Sequence, residues 1–140
     1  MATTQRTFVL IKPDAIQRGL VGEIISRFER KGLRIEAMDM RMSDRELLER
    51  HYAEHEGKHY YHELIEFMVS GPLIAMVVEG ERCIEAVRTA MGTADPITAA
   101  PGSLRGDYAV STTRNLVHAS DSLESADREI GMWFPGVFAD

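Results

Sequence analysis

Asn115-Leu116-Val117-His118-Ala119-Ser120-Asp121-Ser122-Leu123-Glu124-Ser125-Ala126-Asp127-Arg128-Glu129-Ile130 joins a strand end, a histidine and a helix start in one stretch. The apolar pair Leu116-Val117 stops at His118, so the spacing predicts a strand over Asn115 to His118. Beyond it, Leu123, Ala126, Ile130 and Trp133 recur at helical spacing. Asp121 and Glu124 form a capping-box pattern, which starts the helix at Asp121 or Ser122. His118 then lies near a helix N-terminus, whose free N–H groups favour anions. A histidine at a strand end often serves packing alone. Here Ala119 and Ser120 add no bulk over the ring, and Glu129 on the following helix can bind its far nitrogen and fix the tautomer. An imidazole with a reference pKa of about 6.5 is largely neutral at pH 7 and can act as a nucleophile.

Working outward, Phe8-Val9-Leu10-Ile11 is a continuous apolar run, which predicts a strand buried on both faces. Pro13 stops its ladder. Val21, Ile24, Ile25 and Phe28 form one helix face that Gly32 terminates. A strand follows over Arg34 to Met42, where a slip in apolar phase from Ile35 and Ala37 to Met38, Met40 and Met42 predicts a bulge or strong twist. Ser43 or Asp44 caps a short helix through Leu47, Leu48, His51 and Tyr52, and a second carries Tyr61, Leu64, Ile65 and Met68. Leu73 to Val78 is the most strand-like run, ended by Gly80, and a helix with Ile84, Val87 and Met91 inward carries Arg88 at the edge of that stripe. The long Gly/Pro-rich segment from Gly92 to Gly106 has the character of a functional loop. The predicted fold is α+β, a ferredoxin-like sandwich: a four-stranded antiparallel sheet covered by helices, with an inserted helical pair.

A chain of 140 residues suits one domain, here taken as 1–140. It is 44% hydrophobic and 27% charged, which supports a real core. A net charge of −6 argues against a general nucleic-acid or anionic-membrane surface, leaving room for a local cationic pocket. An RNA-binding sheet fits poorly, because the strands lack the aromatic, basic pattern such modules use. The single Cys83 can form neither an intrachain disulfide nor a cysteine metal site, and reads as a small buried residue on a helix. Met1 to Arg6 is short and polar with only four apolar residues after it, unlike a signal peptide, and no apolar run reaches membrane-spanning length. A cytoplasmic location is the expectation.

Polar groups suited to chemistry fall in four segments: Lys12, the region from Tyr52 to Tyr60, Arg88 to Arg105, and Asn115 to His118. Taken singly, each reads as a solvated or core residue. His51, His55 and His59 follow one another at intervals of four, as metal ligands can, but Gly57 interrupts a continuous helix and no cysteine joins them. Neither G-x-x-x-x-G-K-[ST] nor G-x-G-x-x-G is present.

Together these segments resemble the nucleoside diphosphate kinase family over nearly the whole chain. The strongest match is N-L-V-H-A-S-D-S at 115–122 with E-S-A-D-R-E-I after it. Supporting matches are V-L-I-K-P-D at 9–14, H-Y-A-E-H at 51–55, S-G-P at 70–72, A-P-G-S-L-R-G-D at 100–107 and W-F-P at 133–135. The resemblance implies that His118 takes the γ-phosphoryl group of a nucleoside triphosphate and passes it to a nucleoside diphosphate. It implies that Glu129 orients the ring and Ser120 holds Glu129. Lys12, Tyr52, Arg88, Arg105 and Asn115 would contact phosphates, ribose and transition state. Tyr60 would stack on the base, Ala94 would line the nucleotide site, and Asp121 would reach a nucleotide-bound Mg²⁺ through water. Nucleoside tri- and diphosphates are the implied partners, with Mg²⁺ held mainly by their phosphates. A homo-oligomer is implied, a hexamer rather than a tetramer. Three departures stand out: Ala94 where threonine is common, Tyr60 where phenylalanine is usual, and Ala119 for a frequent glycine. The Ala94 departure keeps open an alternative, a non-catalytic nucleotide-binding or scaffold protein on the same fold.

Overall fold

A computed structural model describes residues 4–138. Its sheet has four antiparallel strands: β1 (Thr4–Ile11), β2 (Arg34–Arg41), β3 (Leu73–Glu81) and β4 (Val117–Ala119), in the spatial order β2-β3-β1-β4. The helices are α1 (Pro13–Gln17), α2 (Val21–Arg30), α3 (Arg45–His51), α4 (Tyr61–Val69), α5 (Cys83–Met91), α6 (Leu104–Tyr108) and α7 (Leu123–Trp133), with a 3₁₀ turn over Ala53–His55. This is the expected α+β sandwich, with the helical pair α3 and α4 inserted between β2 and β3.

Side-chain alternation explains why the central run is wholly apolar. Phe8 and Leu10 of β1 join Leu73, Ala75 and Val77 of β3 beneath α3, α4 and α7. Val9 and Ile11 join Ile74, Met76 and Val78 on the opposite face, against Ile24 and Phe28 of α2 and Val87 and Met91 of α5. Residues 8–11 are fully buried. Each large side chain there gains about 1.5–3 kcal/mol from burial, so β1 anchors both layers.

The apolar phase slip is a true irregularity: the register of β2 on β3 shifts between Ile35 and Ala37. Other expectations need correction. Gly80 lies inside β3, where a Cβ would come within 2.7 Å of Leu33 Cδ2; close packing, not strand termination, calls for glycine. Pro13 does stop the ladder as expected, β1 ending at Ile11; what the sequence reading lacked is α1, which Pro13 opens as its first residue, where its missing N–H costs nothing. The segment after Gly92 includes α6, capped by the Ser103 hydroxyl. Of the two expected starts for α7, Asp121 and Ser122, the second is the cap: the Ser122 hydroxyl accepts from the Ser125 amide, and Leu123 is the first helical residue. Leu123 is 54% exposed, so only Ala126, Ile130 and Trp133 of its expected stripe reach the core. The last strand begins at Val117 rather than Asn115. Leu116 has φ 79° and the Val117 amide bonds the Asn115 carbonyl at 2.9 Å, a γ-turn that breaks the extended chain. Among the described residues no helix is long and apolar enough to cross a membrane.

Candidate active site

Strand parity aims the histidine. Leu10 pairs with His118, and directly opposed residues point to the same face. Leu10 faces α7, so His118 does too, and its Nε2 meets Glu129 Oε1 at 3.0 Å. Ser120 donates its hydroxyl to that same carboxylate oxygen at 2.8 Å, while its amide donates to the Phe8 carbonyl at 3.0 Å. A carboxylate oxygen accepts, so the ring proton sits on Nε2. Nδ1, which has no hydrogen-bond partner among the described residues, keeps its lone pair. Burial, followed by the positive charges of Lys12, Arg105 and Arg88, lowers the His118 pKa to about 3. The ring is therefore neutral at pH 7. Burial raises the Glu129 pKa, against the pull of His51, the Ser120 hydroxyl and Arg128.

Lys12 follows β1 directly, and its Nζ donates to Asn115 Oδ1 at 2.8 Å and to the Thr113 carbonyl at 3.4 Å. Burial first and Arg105 second lower its pKa to about 7, with Asp14 opposing them. A bound phosphate would supply the missing negative charge. Asn115 Nδ2 in turn donates to the Ala94 carbonyl at 3.2 Å. Arg105 gives Nε to the Asn115 carbonyl at 3.2 Å, Nη1 to Gly92 at 3.1 Å and Nη2 to Val117 at 2.6 Å. It ties the loop to the strand as well as adding charge, and burial lowers its pKa to about 10. These bonds, with the Leu116 amide donating to Asp14 Oδ2 at 3.2 Å, hold the γ-turn before His118. Backbone held at such a φ is strained, and such strain clusters at functional sites.

Tyr52 is buried with its ring centroid 5.9 Å from that of His118, and its hydroxyl has no partner among the described residues. Burial raises its pKa, so it remains an O–H donor. An orphaned buried donor of this kind suits an oxygen-rich ligand. Arg88 is exposed and donates Nη1 to the Ala119 carbonyl at 3.3 Å. Asp121 is exposed, and the Ser125 hydroxyl, then Ser122 and Arg88, hold its carboxyl below the usual range. A carboxylate ionised at neutral pH is the donor type Mg²⁺ prefers. Ala94 is exposed, and the adjacent Thr93 hydroxyl is engaged by the Asp95 carbonyl at 3.1 Å. Tyr60 is half-buried, and its hydroxyl bonds His55 Nδ1 at 2.5 Å.

His51 is the residue that sequence reasoning missed as part of this pocket. Its ring centroid lies 4.5 Å from that of His118, edge to face. Trp133 Nε1–H donates to His51 Nδ1 at 3.0 Å, which puts the proton of the neutral ring on Nε2. One possible ligand atom from each of His51, His118 and Glu129 lies within 4.8 Å of the others. In these tautomers both Nε2 atoms carry protons, so a metal bound through them would have to displace those protons and the Nε2 bond to Glu129. His51 and His55 therefore serve different neighbours despite their spacing, the first His118 and the second Tyr60. Asp14 was also missed as a site residue, although it closes the motif at 9–14.

A cationic pocket around a neutral, carboxylate-backed histidine on an α+β sandwich has the chemistry of one class in particular, the phosphotransferases that work through histidine. The family model described as "Nucleoside diphosphate kinase" matches residues 5–137. A nucleoside diphosphate kinase from Streptomyces coelicolor is 63% identical over 134 residues, covering 95% of this chain and 98% of that protein. One from Mycobacterium tuberculosis is 60% identical over 135 residues, covering 96% and 99%. Among solved structures, a halophilic nucleoside diphosphate kinase from Halobacterium salinarum in complex with CDP has TM-score 0.92 and 44% identity, covering 95% of this chain and 89% of that one. The chain belongs to the nucleoside diphosphate kinase family, and it is a phosphotransferase. The non-catalytic alternative finds no support in these relatives.

Proposed function

We propose that the chain, acting as a single domain over 1–140, exchanges γ-phosphate between nucleotides by a ping-pong route through His118. Nδ1 attacks the γ-phosphorus in line; an N–P bond forms as the bond to the bridging oxygen breaks, and the diphosphate leaves with that electron pair. A second diphosphate reverses the step with its own terminal oxygen. Glu129, held by Ser120, steadies the ring and offsets the positive charge it gains. Lys12, Arg88 and Arg105 stabilise charge on the phosphates, the Tyr52 hydroxyl meets their oxygens or the ribose, and Asn115 with the Ala94 backbone shapes the same wall. Phosphoryl transfer needs mainly this positioning and charge stabilisation. Mg²⁺, bound mainly through the phosphates with Asp121 at hand, would neutralise their charge. Tyr60 stacks on the base, worth roughly 1–3 kcal/mol for any base, so nucleotide use is broad. The CDP complex of the halophilic relative supports a pocket for nucleoside diphosphates.

The protein works in the cytoplasm as a homo-oligomer, a hexamer rather than a tetramer. Supporting self-association, Met38, Met40 and Met42, on and just beyond edge strand β2, are 55%, 56% and 60% exposed.

The observation that carries this reading is the Nε2 bond to Glu129, which leaves Nδ1 free among cations. Radiolabelled ATP with Mg²⁺ tests it. The protein is expected to take label in a base-stable, acid-labile linkage and hand it to GDP or CDP. His118→Ala should lose both steps; retention of either overturns the assignment.

A further inference from the structure

The Tyr60 hydroxyl is not left free. It meets His55 Nδ1 at 2.5 Å, and the two ring centroids are 5.6 Å apart. The far side of His55 points to a carboxylate, with Nε2 3.8 Å from Glu54 Oε1. This favours the proton on Nε2 and leaves Nδ1 as the acceptor for the tyrosine hydroxyl. His55 closes the 3₁₀ turn that follows Tyr52, and the Tyr52 and His55 rings stand edge to face at 6.0 Å. Tyr52 in turn borders His118. Tyr60 is separated from His55 by Glu56-Gly57-Lys58-His59, an exposed connection whose Gly57 has φ 88°. Tyr60 also packs at the edge of the core cluster that contains Tyr52, but such apolar contact fixes no angle, and the hydroxyl bond is what sets the tilt of its ring against the catalytic end.

We infer that His55 is a positioning residue, which by accepting the Tyr60 hydroxyl holds the aromatic platform for the base in place before nucleotide arrives. The inference rests on the proposed stacking role of Tyr60. A platform already ordered in the free protein spares the nucleotide the cost of ordering it, so the gain appears in affinity rather than in the chemical step. A phenylalanine at this position would stack equally well and lack the tie.

The test measures transfer from the ³²P-labelled phosphoenzyme to GDP, CDP and UDP, together with loading of His118 by phosphoramidate, which has no base. His55→Leu should lower kcat/KM for every diphosphate by about three- to tenfold, the range of one lost hydrogen bond, with the change in KM. Its rate of loading by phosphoramidate should not change. Tyr60→Phe should lose the same factor, and the double variant should lose no more than either single one. His55→Asn keeps an acceptor near the position of Nδ1 and should recover most of the loss. Values of kcat/KM within 1.5-fold of wild type in both single variants overturn the inference. So does a loss shared with phosphoramidate loading, or no recovery in His55→Asn. Failure of the unmodified protein to take label from ATP is a different result, and defeats the phosphohistidine reading itself.

Discussion

The two ends of the pocket are built differently. At the histidine end, side chains project from or beside buried strands and bind one another: His118 to Glu129, Ser120 to Glu129, Lys12 to Asn115. At the rim, where the proposed base and Mg²⁺ contacts lie, Tyr60, Ala94, Arg88 and Asp121 stand on loops or exposed helix surface. If the proposed roles hold, such a division predicts that changes at the first end act on rate and changes at the second on affinity. Phosphoryl transfer depends on placing the nucleophile within a fraction of an ångström, which a rigid sheet can do. Nucleotides of different bases must enter and leave, which a looser rim permits.

The largest effect that would break this division is at Glu129. Glu129→Gln keeps an acceptor for His118 Nε2 but removes the charge. The rate of His118 phosphorylation by ATP should fall about 10- to 100-fold, the worth of one hydrogen bond to a charged group, while KM stays near its original value. Rapid-quench kinetics would measure it. A change confined to KM would mean that the histidine end contributes binding as well, and the contrast between the ends would be lost.

A second effect, about tenfold, concerns pH. An ordinary imidazole with pKa about 6.5 would be only about one-tenth neutral at pH 5.5. Burial, with Lys12, Arg105 and Arg88, lowers the His118 pKa to about 3, so it should remain neutral there. Ring ¹⁵N shifts should keep the pattern of the Nε2–H tautomer through pH 5.5; an inflection near 6.5 would contradict the cationic pocket. Stability has the matching sign. Between about pH 3 and 6.5 the unfolded chain binds the proton that the folded ring refuses, so this group's contribution falls as pH drops through that window.

Much of the histidine end was legible in sequence because its determinants are local. The short apolar run Phe8-Val9-Leu10-Ile11, stopped by Pro13, reads as a strand covered on both sides, and the phase slip after Ile35 marks the bulge directly. His118 and Glu129 lie on adjacent elements, so a strand followed by a helix brings them together. What stayed hidden depends on distant partners. Leucine disfavours positive φ, and Leu116 adopts it because its amide is held by Asp14, 102 positions away in sequence. Gly80 looked like a strand end because its reason, the side chain of Leu33, is far along the chain. His51 reaches His118 only because Trp133, 82 positions on, orients it. Spacing alone cannot reveal a contact that tertiary packing creates.

The smallest expected effect sharpens the comparison from the other end. Ala94 has no hydroxyl, although its backbone is held in place by Asn115 Nδ2 at 3.2 Å. Thr93 does not substitute, since its hydroxyl is bound within its own loop by the Asp95 carbonyl. Ala94→Thr places a hydroxyl at a fixed point of the rim, where a β-branched side chain has room in solvent. One added hydrogen bond to phosphate, weakened from the buried charged-group range by the solvent exposure of this rim, should lower KM for the diphosphate by about three- to tenfold, and steady-state kinetics with GDP and CDP would show it. The value of kcat should not move, because nothing about His118, Glu129 or Ser120 is touched. A change in kcat instead would place Ala94 at the chemical end of the pocket, and the division between a sheet-built centre of chemistry and a loop-built rim would have to be redrawn around the Asn115 bridge.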